Sequence, residues 1–369
     1  MLFKKRSWKA LTLASALTVA LAACGGGEEA ETDEVSEPNE NGGTSEPAAE
    51  EETYSWDIVT EEYPGDVQYE YAVEFAELLK EKSDGRIDMT VFEYGTLGGS
   101  VDQIEQLQQG MIEFAVVSPG FTGGMVTAGQ VFALQFLLPD DLAVTQEILN
   151  TSEALNTHLS ELYEAESILP LAYWTEGAMQ WTGDRELRTP ADFEGFKIRT
   201  QESPLIMRSY EAYGADPTPM DWGELYTSLD RGTVEGQENP IFFIEGASFH
   251  EVQDHLTVSN HNNYVAMTTV NPTFYHELPE DIRAIVDETV AEMQERVFEL
   301  QTELNDGALE RIAEDTENPT AVIELTEEER EAFREKALEV REYFRNDVVD
   351  EKGREILELL EEEIAALQE

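Results

Sequence analysis

The chain has 369 residues but a single cysteine, Cys24, and only 23 basic residues, eight of them lysine. One cysteine leaves no intramolecular disulfide and no cysteine-based metal site. Histidine is scarce too: His158, His250, His255, His261 and His276 are all there is. The gaps among the central three do not return to one helical face, so no metal site is expected. The 79 acidic residues leave a formal net charge of -56. That excess repels phosphates, which excludes a nucleic-acid partner, and gives no charge-based hold on anionic lipid. The apolar run Ala10 to Ala22 has 13 residues, short of the roughly 20 a spanning helix needs. No other segment is apolar enough to span. The chain has no G-x-S-x-G, Walker A or H-E-x-x-H motif, and Gly95-Thr-Leu-Gly98-Gly99 lacks the G-x-G-x-x-G spacing. With no nucleophile and base in evident company, an enzyme is not expected, nor a cofactor.

What is present begins with 41% hydrophobic residues, enough for a packed core. The length suits two domains. The acid excess reads as a protein built for high salt, where screening cuts self-repulsion to a range of about 3 Å at 1 M. The N-terminus reads as a secretory signal, residues 1–23: Lys4, Lys5, Arg6 and Lys9 precede the apolar run. It ends in Leu21-Ala22-Ala23-Cys24, which resembles a bacterial lipobox and implies cleavage before Cys24 and a lipid on it. Removing four positive charges leaves a mature charge of 19 - 79 = -60. Residues 25–53 carry eleven acids, no basic residue and one large aliphatic, Val35. Such a segment cannot bury a core and is expected to be a self-repelling tether. The chain therefore reads as a globular body, 54–369, held outside the membrane by the lipid alone.

In the body, short strands alternate with amphipathic helices, the pattern of an α/β fold. Strands are expected at 55–60, 87–92, 114–117 and 196–199. Helices are expected at 66–82, stopping at Asp84-Gly85, at 102–109 and at 224–230, with a short one opening at Thr189-Pro190. A long helix begins at Pro279 with Ile282, Ile285, Val286, Met293, Val297 and Leu300 on its apolar stripe. From Thr326 onward the chain reads as helices wrapped on the body, broken near Gly353. Several aromatics sit in loop-like contexts: Phe121 in Ser-Pro-Gly-Phe-Thr-Gly, Trp222 in Pro-Met-Asp-Trp-Gly, Phe242 and Phe243 after Glu-Asn-Pro, and Tyr264 after His-Asn-Asn. Taken one at a time, each is better explained by core packing.

Three ordered runs resemble one family: Asp192-Phe-Glu-Gly-Phe-Lys-Ile-Arg199, Tyr213-Gly-Ala-Asp-Pro-Thr-Pro219 and Gly236-Gln-Glu-Asn-Pro240. The chain from 54 to 369 is similar to the DctP family, the solute-binding proteins of TRAP transporters. Gly95-Thr-Leu-Gly98 and Phe136-Leu-Leu-Pro139 fit the same family. Glu61-Glu-Tyr-Pro-Gly-Asp-Val-Gln68, Ser118-Pro-Gly-Phe-Thr-Gly123 and Trp222-Gly-Glu-Leu-Tyr226 resemble its ectoine-binding type. The resemblance implies a periplasmic-binding-protein-like fold of two α/β domains, a hinge that closes on ligand and a long helix shared between them. The domain expectation is 54–176 plus 264–305 for the first and 177–263 plus 306–369 for the second. Partners would be a small zwitterionic or carboxylate solute and the TRAP membrane subunits, with the receptor itself a monomer.

Carried over position by position, the solute site would use Glu62, Phe121, Arg199, Trp222, Asn239, Phe243 and Tyr264. Phe243 stands where the ectoine type has Trp, and Tyr264 where it has Phe. Met179 occupies the place where dicarboxylate and sugar-acid members carry a second Arg. The chemistry suits a small zwitterion. Arg199 offers a bidentate fork to a carboxylate, Asn239 an amide, and Glu62 a carboxylate for the amidinium. The aromatic rings offer π faces worth about 0.5–2 kcal/mol each when desolvated. Burying both charges is costly unless each is paired, so the site should hold its solute only when closed. A monocarboxylate such as a sugar acid or 2-oxo acid fits Arg199 equally, and a C4-dicarboxylate fits less well with Met179. Delivery to a sensor rather than a transporter is equally compatible with these residues.

Overall fold

The computed structural model describes residues 52–368. The signal segment, Cys24 and nearly all of the acidic tether lie outside the described residues. Ten strands occur among the described residues: β1 (Tyr54–Val59), β2 (Ile87–Phe92), β3 (Phe114–Val117), β4 (Leu169–Gly183), β5 (Lys197–Thr200), β6 (Asp216–Pro219), β7 (Gly236–Pro240), β8 (His255–Val258), β9 (Asn263–Val270) and β10 (Ala321–Glu324). They form one mixed path, β2-β1-β3-β9-β4-β7-β5-β6, with β8 also beside β4 and β10 beyond it. β1, β2 and β3 run parallel, as do β5, β6 and β7. β4 and β9 are antiparallel to their neighbours and join the two parallel groups.

The 15 residues of β4 change partners along their length. Leu169 to Ala178 pair with β9, while Met179 to Gly183 pair with β7. The register slips between Thr175 and Gly177. Gly177 sits there at φ +119°, and a Cβ on it would lie 2.7 Å from Asn305 Nδ2. Both the backbone angle and the close approach require glycine. Asn305 ends the long helix Glu280–Asn305, and its Nδ2 donates to the Glu176 carbonyl at 2.8 Å. The helix is thus tied to β4 where the strand passes from one half of the sheet to the other.

Most expected elements occur where the periodicity placed them. The Val67–Lys82 helix buries Val67, Tyr71, Phe75 and Leu79 against the sheet, and Asp84 and Gly85 close it at positive φ. The Glu280–Asn305 helix buries Ile282, Val286, Met293, Val297 and Leu300. The C-terminal helices Glu327–Tyr343 and Glu351–Leu367 lie on the body through Phe333, Val340, Ile356 and Leu360. Most boundaries agree to within two residues, and one differs by more. The break comes at Val349-Asp350, and Gly353 is inside the first turn that follows, donating its N–H to the Asp350 side chain at 2.9 Å. Asp350 is therefore the helix cap, and Gly353 is small because a Cβ would strike Val349 at 2.7 Å.

Candidate functional site

The carboxyl ends of the parallel strands in both groups meet at one place, which is where open α/β sheets bind ligands. Each contributes through the residues at or just beyond its end: Glu61 after β1, Ser118 to Phe121 after β3, Arg199 and Gln201 on and after β5, Trp222 after β6, Asn239 and Phe243 on and after β7. Tyr264 enters from β9. All of these but Ser118 to Gly120 line a space of about 280 Å³, part of it open to solvent. Six of the seven residues expected from the sequence line it: Phe121, Arg199, Trp222, Asn239, Phe243 and Tyr264.

Glu62 is not among them. Its Oε2 accepts the Gln68 N–H at 2.6 Å, in the first turn of the Val67–Lys82 helix, and it faces Glu176 rather than the cavity. Glu61 lines the cavity instead. Its Oε2 accepts the Ser118 N–H at 2.9 Å, while its Oε1 is buried with no hydrogen-bond partner in the protein. Glu61 and Glu62 lie in a bend just past the end of β1, and sequence does not show which member of the pair such a bend turns toward the cavity. Ser100 and Gln201 also line the space without having been expected. Gln201 had a signal, since it lies two residues from Arg199, just past the end of β5. Ser100 had none.

Arg199 is 3% exposed. Its Nε and Nη2 both donate to the Met220 carbonyl, at 3.2 and 3.0 Å. It forms no ion pair with any carboxylate among the described residues, in a chain with 79 of them. Burial pushes its pKa below the usual arginine value, partly offset by the Tyr264, Glu238 and Asp221 side chains. It is the sole Lys or Arg lining the cavity. A buried cation without a counter-ion is costly, so Arg199 calls for an anion that the protein does not itself supply.

The aromatic wall is continuous. Trp222 packs on Phe243 at 4.9 Å, Phe243 meets Tyr264 at 5.9 Å, and the Arg199 guanidinium lies 6.0 Å from the Trp222 ring. Asn239 Nδ2 donates to Gln237, whose own Nε2 donates to Thr182 Oγ1 at 3.0 Å. That relay fixes the amide and leaves one N–H for a solute. Ser100 Oγ is a second buried atom with no partner in the protein. Burial pushes the Glu61 carboxyl well above the usual range, because no cation stands beside it. Glu62 and Glu176 are likewise raised by burial, and Glu176 is pushed up to about 7. Glu62 Oε1 and Glu176 Oε2 have no donor among the described residues, and one proton shared between the two carboxyls would satisfy both. Beside Trp222, Tyr94 after β2 donates to Asp221, and the Gly223 N–H donates to the Tyr94 hydroxyl at 3.2 Å.

An unpaired buried cation, opposed acids and an aromatic wall at the strand ends define a receptor for a small charged solute. The chain belongs to the bacterial extracellular solute-binding protein family 7, the DctP family, whose sequence profile matches residues 58–347. It is 35% identical over 314 residues to the ectoine-binding periplasmic protein TeaA of Halomonas elongata, covering 85% of this chain and 91% of that one. It is 34% identical over 312 residues to the ectoine/5-hydroxyectoine-binding periplasmic protein UehA of Ruegeria pomeroyi, with the same coverage. The solved structure of the Halomonas protein superposes with a TM-score of 0.81 over 85% of this chain and 99% of that one. A sugar-acid-binding protein of Advenella mimigardefordensis, solved with galactonate, superposes at 0.77 with 26% identity, covering 84% and 99%. The fold is thus that of the two-domain TRAP solute receptors. The chain is an extracytoplasmic binding protein, not an enzyme, and works with membrane subunits.

Proposed function

We propose that this receptor captures ectoine or 5-hydroxyectoine and delivers it to TRAP membrane subunits while anchored by a lipid on Cys24. The observation that carries the reading is the pairing of opposites across one cavity. Arg199 has no counter-ion, and Glu61 presents a bare oxygen to the same space. A zwitterion with a carboxylate and a delocalised cation satisfies both at once, and the rings of Phe121, Trp222, Phe243 and Tyr264 cover the cation. A plain monocarboxylate would satisfy Arg199 but leave the acids unmatched. The reading places Met179 where a second cation would be needed for a dicarboxylate. It also takes the sheet's change of partners at Glu176-Gly177 as the hinge, with 54–176 and 264–305 on one side, 177–263 and 306–369 on the other, and a monomer as the working unit.

Calorimetric titration with ectoine at high salt tests it. Arg199→Ala should cost about 2–5 kcal/mol of binding, a loss of thirtyfold or more. Glu61→Gln should weaken ectoine and leave a plain carboxylate unaffected, whereas Glu62→Gln should change affinity little. A carboxylate that binds while ectoine gives no heat would move the receptor to the sugar-acid or 2-oxo-acid class.

A further inference from the structure

A second cavity adjoins the first, and Gln201 and Tyr264 line both. The space it outlines is about 400 Å³, part of it open to solvent. Gln201 Nε2 donates to Ser118 Oγ and to the Tyr264 hydroxyl, each at 3.2 Å. That amide is laid across the backbone of Gly120, where a Cβ would lie 1.9 Å from Gln201 Oε1. The adjoining chamber on its other side is rich in amides and hydroxyls: Gln130, Ser203, Asn262 and Asn263, with Glu238 among its lining. Asn263 is 7% exposed, and its Oδ1 has no partner in the protein. An acceptor so placed takes a hydroxyl or N–H donor. Gln201 holds its place by two long hydrogen bonds to hydroxyls, a weak fastening that a solute hydroxyl reproduces.

Resting on the Arg199 anchor proposed above, we propose that the adjoining chamber is a subsite for a hydroxylated extension of the solute, with Gln201 as its movable partition. The receptor then prefers a hydroxylated solute over its deoxy counterpart, because only the former reaches Asn263 Oδ1. Met179, Phe132 and Val265 give the chamber its apolar remainder, which fits the carbon skeleton that carries the hydroxyl.

Titration of the full-length protein with two matched pairs, ectoine with 5-hydroxyectoine and hexanoate with gluconate, tests this. The pair bound in an Arg199-dependent way is the one read. Its hydroxylated member should bind about tenfold tighter, one well-made hydrogen bond's worth. Asn263→Ala should bring the ratio close to one. Gln201→Ala should widen it, because the extension no longer displaces the amide. Opposite shifts from two variants would not follow from a loss of folding. A ratio near one in the unmodified protein, or variants that move both members alike, would overturn the subsite and leave the Arg199 anchor standing. Absence of Arg199-dependent binding in either pair would overturn both.

Discussion

At the scale of single residues, burial without partners is what marks the site. Arg199 and Glu61 face one cavity, and each lacks the counter-charge a structural role would give it. The Glu62–Glu176 pair behind them is different, since it is closed on itself and on Gln68, whose Nε2 donates to Glu176 at 2.9 Å. Its consequence is for stability. A carboxyl whose pKa rises on folding binds its proton more tightly in the native state. The stabilisation is complete below the ordinary value of 4.5 and is lost as pH climbs toward 7, where Glu176 titrates. Glu176→Gln should therefore stabilise the fold at pH 8 and not at pH 4, by an amount on the order of 3 kcal/mol, read as a higher melting temperature. Thermal melts across that window check it, and a difference independent of pH would rule out the shared proton.

Among elements, one contact joins the loops after β2 and β6. Tyr94 and Tyr63, which meet edge to face at 5.6 Å, stand on the β1–β2 side. Asp221 and Gly223 stand beside β6. The Tyr94–Asp221 hydrogen bond links them, and a charge-assisted bond of this kind is worth about 1.5–3 kcal/mol. Tyr94→Phe keeps the ring contact and removes the bond. The expected outcome is a dissociation rate about tenfold faster with association little changed, measured by stopped-flow tryptophan fluorescence. An unchanged dissociation rate would mean that the cavity opens without breaking this contact.

For the whole molecule, the balance of charge decides the conditions under which the fold persists. With 79 acids against 23 bases, repulsion exceeds what the described ion pairs return. Most of these pairs are at least partly exposed, such as Lys80–Asp88 and Lys352–Glu161, and worth little. Screening shortens from about 10 Å at 0.1 M salt to about 3 Å at 1 M. The melting temperature should rise between those concentrations, even though salt also weakens the ion pairs. A fall would show that the pairs, not the repulsion, dominate.

The alternation of short strands and helices, the stripe of the 280–305 helix and the ordered family motifs were legible in the chain, because local periodicity and residue order carry them. So was Arg199, through the run that ends in it. β4 and β9 were not, since a strand buried on both faces has no period-2 pattern to separate it from a buried helix. Nor could the sequence choose between Glu61 and Glu62, or join Gln201 to Tyr264, 63 residues away. Direction along a strand end and proximity across a sheet are set by register and topology. These arise only when the two parallel groups pack together through β4 and bring the ends of five strands to one cavity.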